Sequence, residues 1–145
     1  MNEELHVIYV NDSDGYKKIV ELYKDPEINA TFDGYRRDRV AASEISFLIC
    51  LNDLPIGYIL LVREKDRKES LGVDIAIKKD YRAKGYGKKT MEIFKDKFLK
   101  QIKDTMHFQV KKENIAAIKI LDILDNEYIE TKDDTDFYKI SSRTK

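Results

Sequence analysis

The chain has 145 residues, a length typical of one domain that buries enough apolar surface to fold without disulfides or a structural metal. Its 27 Lys and Arg residues balance 27 Asp and Glu residues, and a zero net charge disfavours nucleic acid as the main partner. No apolar run approaches the ~18 residues of a membrane-spanning helix, and the acidic start lacks the apolar segment of a signal peptide. The composition therefore predicts a cytoplasmic protein with one domain over residues 1–145 and no membrane contact.

The first half of the chain alternates short apolar runs with helical stripes. The predicted elements are, in chain order, a strand over 5–10, a helix from the N-cap Ser13 to Asp25, a helix around 35–40, and strands over 45–51, 56–63 and 71–77. The turn at 52–55 predicts an antiparallel hairpin between the two strands that flank it.

The second half has a helix between two strands. The predicted elements are a helix after residue 87 that reaches 102, a strand over 106–110, a helix over 114–124, and strands over 128–131 and 137–140. A strand, a helix and a further strand in the middle of the chain predict a parallel pair with a right-handed crossover. Because hairpins are predicted on both sides of this pair, the expected fold class is α/β with a mixed sheet.

The residue types most often found in metal and nucleophile sites are sparse. Cys50 is the single cysteine and lies in an apolar strand, where a buried thiol is favoured over a nucleophile. His6 and His107 are far apart in sequence, and neither has a second ligand at metal spacing. No metal site is therefore predicted.

A basic loop with two glycines carries the strongest chemical signal. Residues 78–103 hold ten Lys or Arg against three acids, a local net charge of +7 on a neutral chain. Gly85 and Gly87 leave the backbone unhindered just before a helix, whose first N–H groups attract anions. The loop lacks the further glycine and the Ser or Thr of the Walker pattern, and Thr90 replaces the third small residue of the dinucleotide fingerprint. A ligand that carries phosphates is predicted, although two glycines could also simply close a tight turn.

The segment Arg82-x-x-Gly85-x-Gly87 resembles the pyrophosphate loop of the GNAT superfamily, the GCN5-related N-acetyltransferases. Downstream, Asn114-x-x-Ala117-Ile118 is similar to the start of the helix that follows the fifth strand in that family. The order of elements agrees over nearly the whole chain. The resemblance implies a single-domain acyl-CoA N-acyltransferase fold, whose mixed, mostly antiparallel sheet has a splayed central parallel pair flanked by helices.

The resemblance also implies acetyl-CoA as cosubstrate and where it binds. The backbones of Ile75 and Ile77 would bind the pantetheine arm in the splay. The residues that would face the pyrophosphate or the rest of the coenzyme are Arg82, Ala83, Lys84, Gly85, Tyr86, Gly87, Lys88, Asn114 and Ala117. For Lys84 and Lys88, a phosphate contact and a merely solvated side chain both stay open.

Asp74 is the candidate for holding or deprotonating an amine, since it is the only acid inside the strand 71–77. Strand alternation separates it from its apolar neighbours, and a structural ion pair or a bulge cap is the alternative interpretation. The segment Gly72-Val73-Asp74 is also similar to the aminoglycoside 6′-N-acetyltransferase branch of the family, in which the matching Asp contacts the substrate amine.

The chain departs from the family where a tyrosine usually protonates the leaving thiolate. Leu121 occupies that place, and no tyrosine occurs between Asn114 and Asp125. Tyr128, Tyr138 or a water would then supply the proton.

Three functions are compatible with these features. An N-acetyltransferase acting on a small amine or a peptide amine is favoured, a non-catalytic acetyl-CoA sensor is the alternative, and a nucleic-acid module is opposed by the acidic run 122–136. That run predicts a solvated face rather than a site for cationic substrates. Members of the family are often dimers, so a homodimer stays open.

Overall fold

The computed structural model describes residues 4–29, 40, 42–63, 69–112 and 114–141. Within these residues the strands are β1 (Leu5–Tyr9), β2 (Ser43–Leu51), β3 (Leu54–Arg63), β4 (Ser70–Ile77), β5 (Thr105–Lys111), β6 (Asn126–Lys132) and β7 (Thr135–Ile140). The helices are α1 (Ser13–Tyr23), α2 (Pro26–Asn29), α3 (Tyr86–Lys97) and α4 (Ile115–Leu121). Short 3₁₀ helices span Lys79–Tyr81 and Leu99–Gln101.

The seven strands form one sheet in the order β1-β2-β3-β4-β5-β7-β6. The pair β4–β5 is parallel and every other pair is antiparallel, which confirms the predicted mixed sheet with a central parallel pair. The predicted helix around 35–40 falls on residues of which only Val40 is described.

Two local signals differ in detail from the sequence-based expectation. The N-cap of α1 is Asp12 rather than Ser13, because the Asp12 carboxylate accepts a hydrogen bond from the Gly15 N–H at 2.8 Å. The hairpin turn between β2 and β3 has two residues rather than four, and Asn52 takes the left-handed conformation (φ 54°) that such tight turns require.

The sheet is covered on both faces by apolar clusters. One cluster packs with α3 and α4 and includes Met91, Phe94 and Leu121, and we call this side the α3 face. The other packs with α1 and includes Ile19 and Tyr58, and we call this side the α1 face. Alternate residues of each strand point to opposite faces, which decides which face each site residue reaches.

Cys50 lies in β2 with 5% of its surface exposed, as expected for a buried strand thiol. Burial raises the pKa of this thiol above its ordinary value, and the nearby Lys18 opposes the shift. Among the helices described, none is both long and apolar enough to span a membrane.

Candidate active site

The central parallel strands part after three residue pairs. Ser70 lies opposite Thr105, Leu71 opposite Met106, and Gly72 opposite His107. Although both strands are described to their ends, no pairing between them continues beyond Gly72. The strands therefore diverge from this point, as the predicted splay requires.

The backbone groups of Ile75 and Ile77 point into this gap. The Lys78 N–H donates a hydrogen bond to the Ile56 carbonyl oxygen at 2.8 Å, so even-numbered residues of β4 bond to β3. In an antiparallel ladder the alternate residues direct their amides to the other side. Residues 75 and 77 thus present extended backbone to the splay, where their contact with a pantetheine arm stays a prediction.

The basic loop begins where β4 ends and leads into α3. Ala83 (φ 59°) and Gly85 (φ 84°) both take the left-handed conformation on either side of Lys84. Such alternation makes successive N–H groups converge in a concavity that binds anions. The first turn of α3 contains no acidic residue, so its positive end is not neutralised there.

Glycine is needed at the two positions of the loop for different structural reasons. A Cβ atom on Gly85 would meet no atom within 4 Å, so this residue is required by its backbone conformation and not by crowding. A Cβ atom on Gly87 would lie 3.0 Å from Ile120 Cδ1 and 3.8 Å from Ile77 Cδ1. Gly87 therefore allows α3 to pack closely against α4 and β4.

The start of α4 lies at the end of β5. Asn114 is its N-cap, because the Asn114 carbonyl oxygen Oδ1 accepts a hydrogen bond from the Ala117 N–H at 3.1 Å. Leu121, at the last turn of this helix, is 2% exposed and belongs to the apolar cluster. Leu121, which stands where the resemblance places a tyrosine, is thus part of the core.

The three candidate catalytic side chains do not share a face. Asp74 is half-buried and lies opposite Leu60, whose side chain belongs to the α1-face cluster. Tyr138 packs against the α3-face cluster, and Tyr128 pairs with it across β6 and β7. Tyr128 is 56% exposed, and its hydroxyl lies 2.6 Å from that of Thr131.

A buried histidine that the sequence did not single out as functional lies opposite Gly72, two residues before Asp74. His107 is 1% exposed, and its Nδ1 atom lies 2.8 Å from the Ser70 hydroxyl. Ser70, Gly72 and Asp74 alternate along β4, so all three face the same side as His107. The spacing Ser-x-Gly-x-Asp was visible in the sequence, but its partner on β5 depends on the strand register. Among the described residues, no group of three or more His, Cys, Asp or Glu could hold a metal ion.

Residues 12–122 match the model of the acetyltransferase (GNAT) family, and the chain belongs to this family. No curated protein matches the chain.

Solved structures share the fold at low sequence identity. A candidate acetyltransferase from Acinetobacter baylyi ADP1 has a TM-score of 0.70 and 18% identity, covering 96% of this chain and 93% of its own. The yncA protein of Salmonella typhimurium, solved with its cofactor acetyl-CoA, has a TM-score of 0.61 and 14% identity. The match covers 94% of this chain and 91% of the yncA chain. The ribosomal-protein-S18-alanine N-acetyltransferase of Escherichia coli has a TM-score of 0.65 and 15% identity. The match covers 94% of this chain and 92% of the Escherichia coli chain.

Proposed function

We propose that this protein is an N-acetyltransferase that binds acetyl-CoA in the splay and passes the acetyl group to a primary amine. The observation that carries the proposal is the coincidence of the splay with the basic loop at its open end. The splay offers extended backbone to the amides of a pantetheine arm, and the loop offers N–H groups and positive charge to a pyrophosphate. A neutral chain with this local charge of +7 suits a small phosphate-bearing ligand.

The reaction proceeds by direct attack in a ternary complex. The amine must lose a proton before it attacks the thioester carbonyl, and the negative charge that develops on the carbonyl oxygen needs a hydrogen-bond donor. A backbone N–H of β4 that faces the splay can supply this donor, so no special side chain is required. In this proposal Asp74 holds the substrate ammonium at the edge of the splay.

The leaving thiolate requires little help. An ordinary thiol has a pKa of about 8.5, so its thiolate is a tolerable leaving group near neutral pH. Loss of a general acid typically costs about 10²–10⁴-fold in rate. With Leu121 buried at the usual tyrosine place, a water or Tyr138 provides the proton, and Tyr128 is the more exposed alternative.

The acceptor class is left to experiment, because fold neighbours differ in what they acetylate. One neighbour is a chimera of the spermidine N-acetyltransferase from Vibrio cholerae, and another acetylates an alanine of a ribosomal protein. A polyamine, an aminoglycoside and a peptide N-terminus are therefore the acceptors to screen. The alternative function is a sensor that binds acetyl-CoA without turnover, which the leucine at position 121 favours.

Calorimetric titration with acetyl-CoA, with ATP and NAD as controls, is the first test. Micromolar binding that is selective for acetyl-CoA supports the proposal, and no heat from the folded protein would contradict it. A thiol-release assay with spermidine, an aminoglycoside and a peptide with N-terminal alanine then separates the enzyme from the sensor.

The same assay tests Asp74. We expect Asp74→Asn to lower kcat at neutral pH with little change in the dissociation constant of acetyl-CoA. Asp96→Asn removes an equal charge from an exposed position of α3 and serves as the matched control. Full activity of Asp74→Asn would remove this residue from the mechanism.

A further inference from the structure

The imidazole of His107 occupies the space above Gly72, at the point where the splay begins. The Nε2 and Cε1 atoms of the ring lie 3.3 and 3.5 Å from the place of a Cβ atom on Gly72. Glycine at this position therefore leaves room for the ring. The next residue along this face of β4 is Asp74, so the imidazole and the carboxylate occupy neighbouring positions at the base of the splay.

The Ser70 hydroxyl has two hydrogen-bond partners that bear on the tautomer of His107. One partner is the Thr105 carbonyl oxygen at 3.2 Å, which can only accept the hydroxyl proton. When the hydroxyl proton lies on that carbonyl oxygen, the contact of 2.8 Å between the hydroxyl and Nδ1 is one in which Nδ1 carries the hydrogen and donates it. In that tautomer of the neutral ring Nε2 is the basic nitrogen, and it is the ring atom that lies nearest to Gly72.

The neighbours of this ring on the adjacent strands are known from the strand register. Gly72 lies opposite His107 on β4, Lys139 lies opposite it on β7, and the ring of Phe137 on β7 lies 6.4 Å away. The titratable groups on this face include Tyr23 on α1, Cys50 on β2, Tyr58 on β3, Lys111 on β5, Lys139 on β7, and Glu127 and Glu130 on β6. Asp74 is the acid that follows Gly72 on this face of β4, just past the last residue pair that joins β4 to β5.

From this arrangement we infer that His107 is the proton-accepting partner of Asp74 in the acetyl transfer, an inference that rests on the function proposed above. Asp74 holds the substrate ammonium, and Nε2 of His107 takes the proton that the ammonium gives up. A carboxylate with an ordinary pKa near 3.9 is a weak base for an amine, whereas histidine titrates near neutral pH. His107 acts through Asp74 or a water, and is thus a positioning and proton-accepting residue rather than one that touches the acetyl group.

The step balances in protons and bonds. The ammonium transfers one proton to Nε2, which leaves a neutral amine and an imidazolium beside the Asp74 carboxylate. The amine nitrogen then bonds to the acetyl carbon, the carbon–sulfur bond breaks, and the nitrogen gives up its second proton while the thiolate takes up one proton. The imidazolium finally returns its proton to solvent, so the net products are the acetamide, the free thiol of CoA and one proton.

Nuclear magnetic resonance and the pH dependence of kcat/KM test the inference together. The chain has two histidines, so the ¹⁵N imidazole spectrum is simple, and the signal lost in His107→Asn assigns the buried ring. We expect this ring to have hydrogen on Nδ1 and to titrate. In the wild type, kcat/KM for the best amine of the screen should rise with pH up to the measured pKa of His107 and then level off.

The matched variants separate a proton-accepting role from a structural one. His107→Asn keeps an N–H for Ser70 but removes the titrating nitrogen, and should lower kcat/KM at pH 7 by about 10²-fold. In this variant kcat/KM should rise steadily towards the pKa of the amine without levelling off, because solvent must then remove the proton. Ser70→Ala keeps the imidazole and should shift the titration of His107 and the kinetic inflection by the same amount.

An unchanged pH profile in His107→Asn, or hydrogen found on Nε2 instead of Nδ1, would overturn the inference while leaving the acetyltransferase proposal intact. If His107→Asn does not fold, Ser70→Ala provides the test. A shift in the titration of His107 that differs from the shift in the kinetic inflection would also overturn the inference. A wild-type protein that binds no acetyl-CoA would overturn the proposed function, and this inference with it.

Discussion

The Nε atom of Arg82 donates a hydrogen bond to the carbonyl oxygen of Ile77 at 2.8 Å, which ties the start of the glycine loop to the end of β4. This contact fixes the loop at the open end of the splay. The guanidinium thus has a structural task in the loop in addition to its charge, and the two contributions can be separated by substitution.

Arg82→Lys keeps the positive charge but loses the planar guanidinium that makes this contact. Because a hydrogen bond to a charged group is worth about 1.5–3 kcal/mol, we expect acetyl-CoA affinity to fall by roughly tenfold or more. Lys84→Gln removes a charge from an exposed part of the same loop. We expect it to weaken acetyl-CoA binding less than Arg82→Lys does, and only at low salt. Equal affinity of Arg82→Lys and wild type in calorimetry would argue against a role for the contact.

Substitutions at Gly85 test whether the loop binds the negatively charged pyrophosphate. Asn and Asp both tolerate the left-handed backbone found at this residue and have the same size, so Gly85→Asn and Gly85→Asp differ only in charge. At ~6 Å and an effective dielectric constant of ~20, a carboxylate opposes each phosphate charge by about 3 kcal/mol before screening. We expect Gly85→Asp to bind acetyl-CoA at least about tenfold more weakly than Gly85→Asn. Equal affinities of the two variants for acetyl-CoA would indicate that the pyrophosphate does not bind beside Gly85.

Gly87 tests the packing of α3 on α4. Alanine in a helix is favoured over glycine by about 0.5–1 kcal/mol, but overpacking typically costs about 1–3 kcal/mol. We therefore expect Gly87→Ala to lower the free energy of unfolding, because the new methyl group lies 3.0 Å from Ile120 Cδ1.

Ile120→Val removes that Cδ1 atom and provides the control. In this background Gly87→Ala should be neutral or stabilising, giving a coupling energy of at least about 0.5 kcal/mol in a double-mutant cycle. Additive effects in urea denaturation would show that the two residues do not crowd each other.

Cys50 gives a pH dependence of stability. Burial raises the pKa of this thiol in the folded state, so above the ordinary thiol pKa the unfolded chain loses its proton while the folded chain keeps it. The unfolded state then binds fewer protons, and the free energy of unfolding falls as pH rises from about 8.5 towards the folded pKa. The difference in unfolding free energy between wild type and Cys50→Ala should therefore narrow from pH 7 to pH 10. A constant difference in urea titrations would contradict a buried, protonated thiol.

Features that depend on neighbouring residues could be predicted from the amino-acid sequence. The strands, the long helix after the glycine loop and the loop itself were predicted because strand alternation, helical spacing and turn chemistry are short-range properties. The one-residue error at the N-cap of α1 has the same origin, since Asp12 and Ser13 are both good caps and only the contact with Gly15 distinguishes them.

The contacts between segments that are distant in sequence became visible in the folded chain. Three residue pairs join β4 to β5 before the splay, and this register places His107 against Gly72, on the face of β4 that Asp74 shares. The same is true of Gly87, whose closest neighbour, Ile120, is 33 residues away in sequence. Register and helix packing between such segments follow from the side chains that fill the common core, which local patterns do not encode.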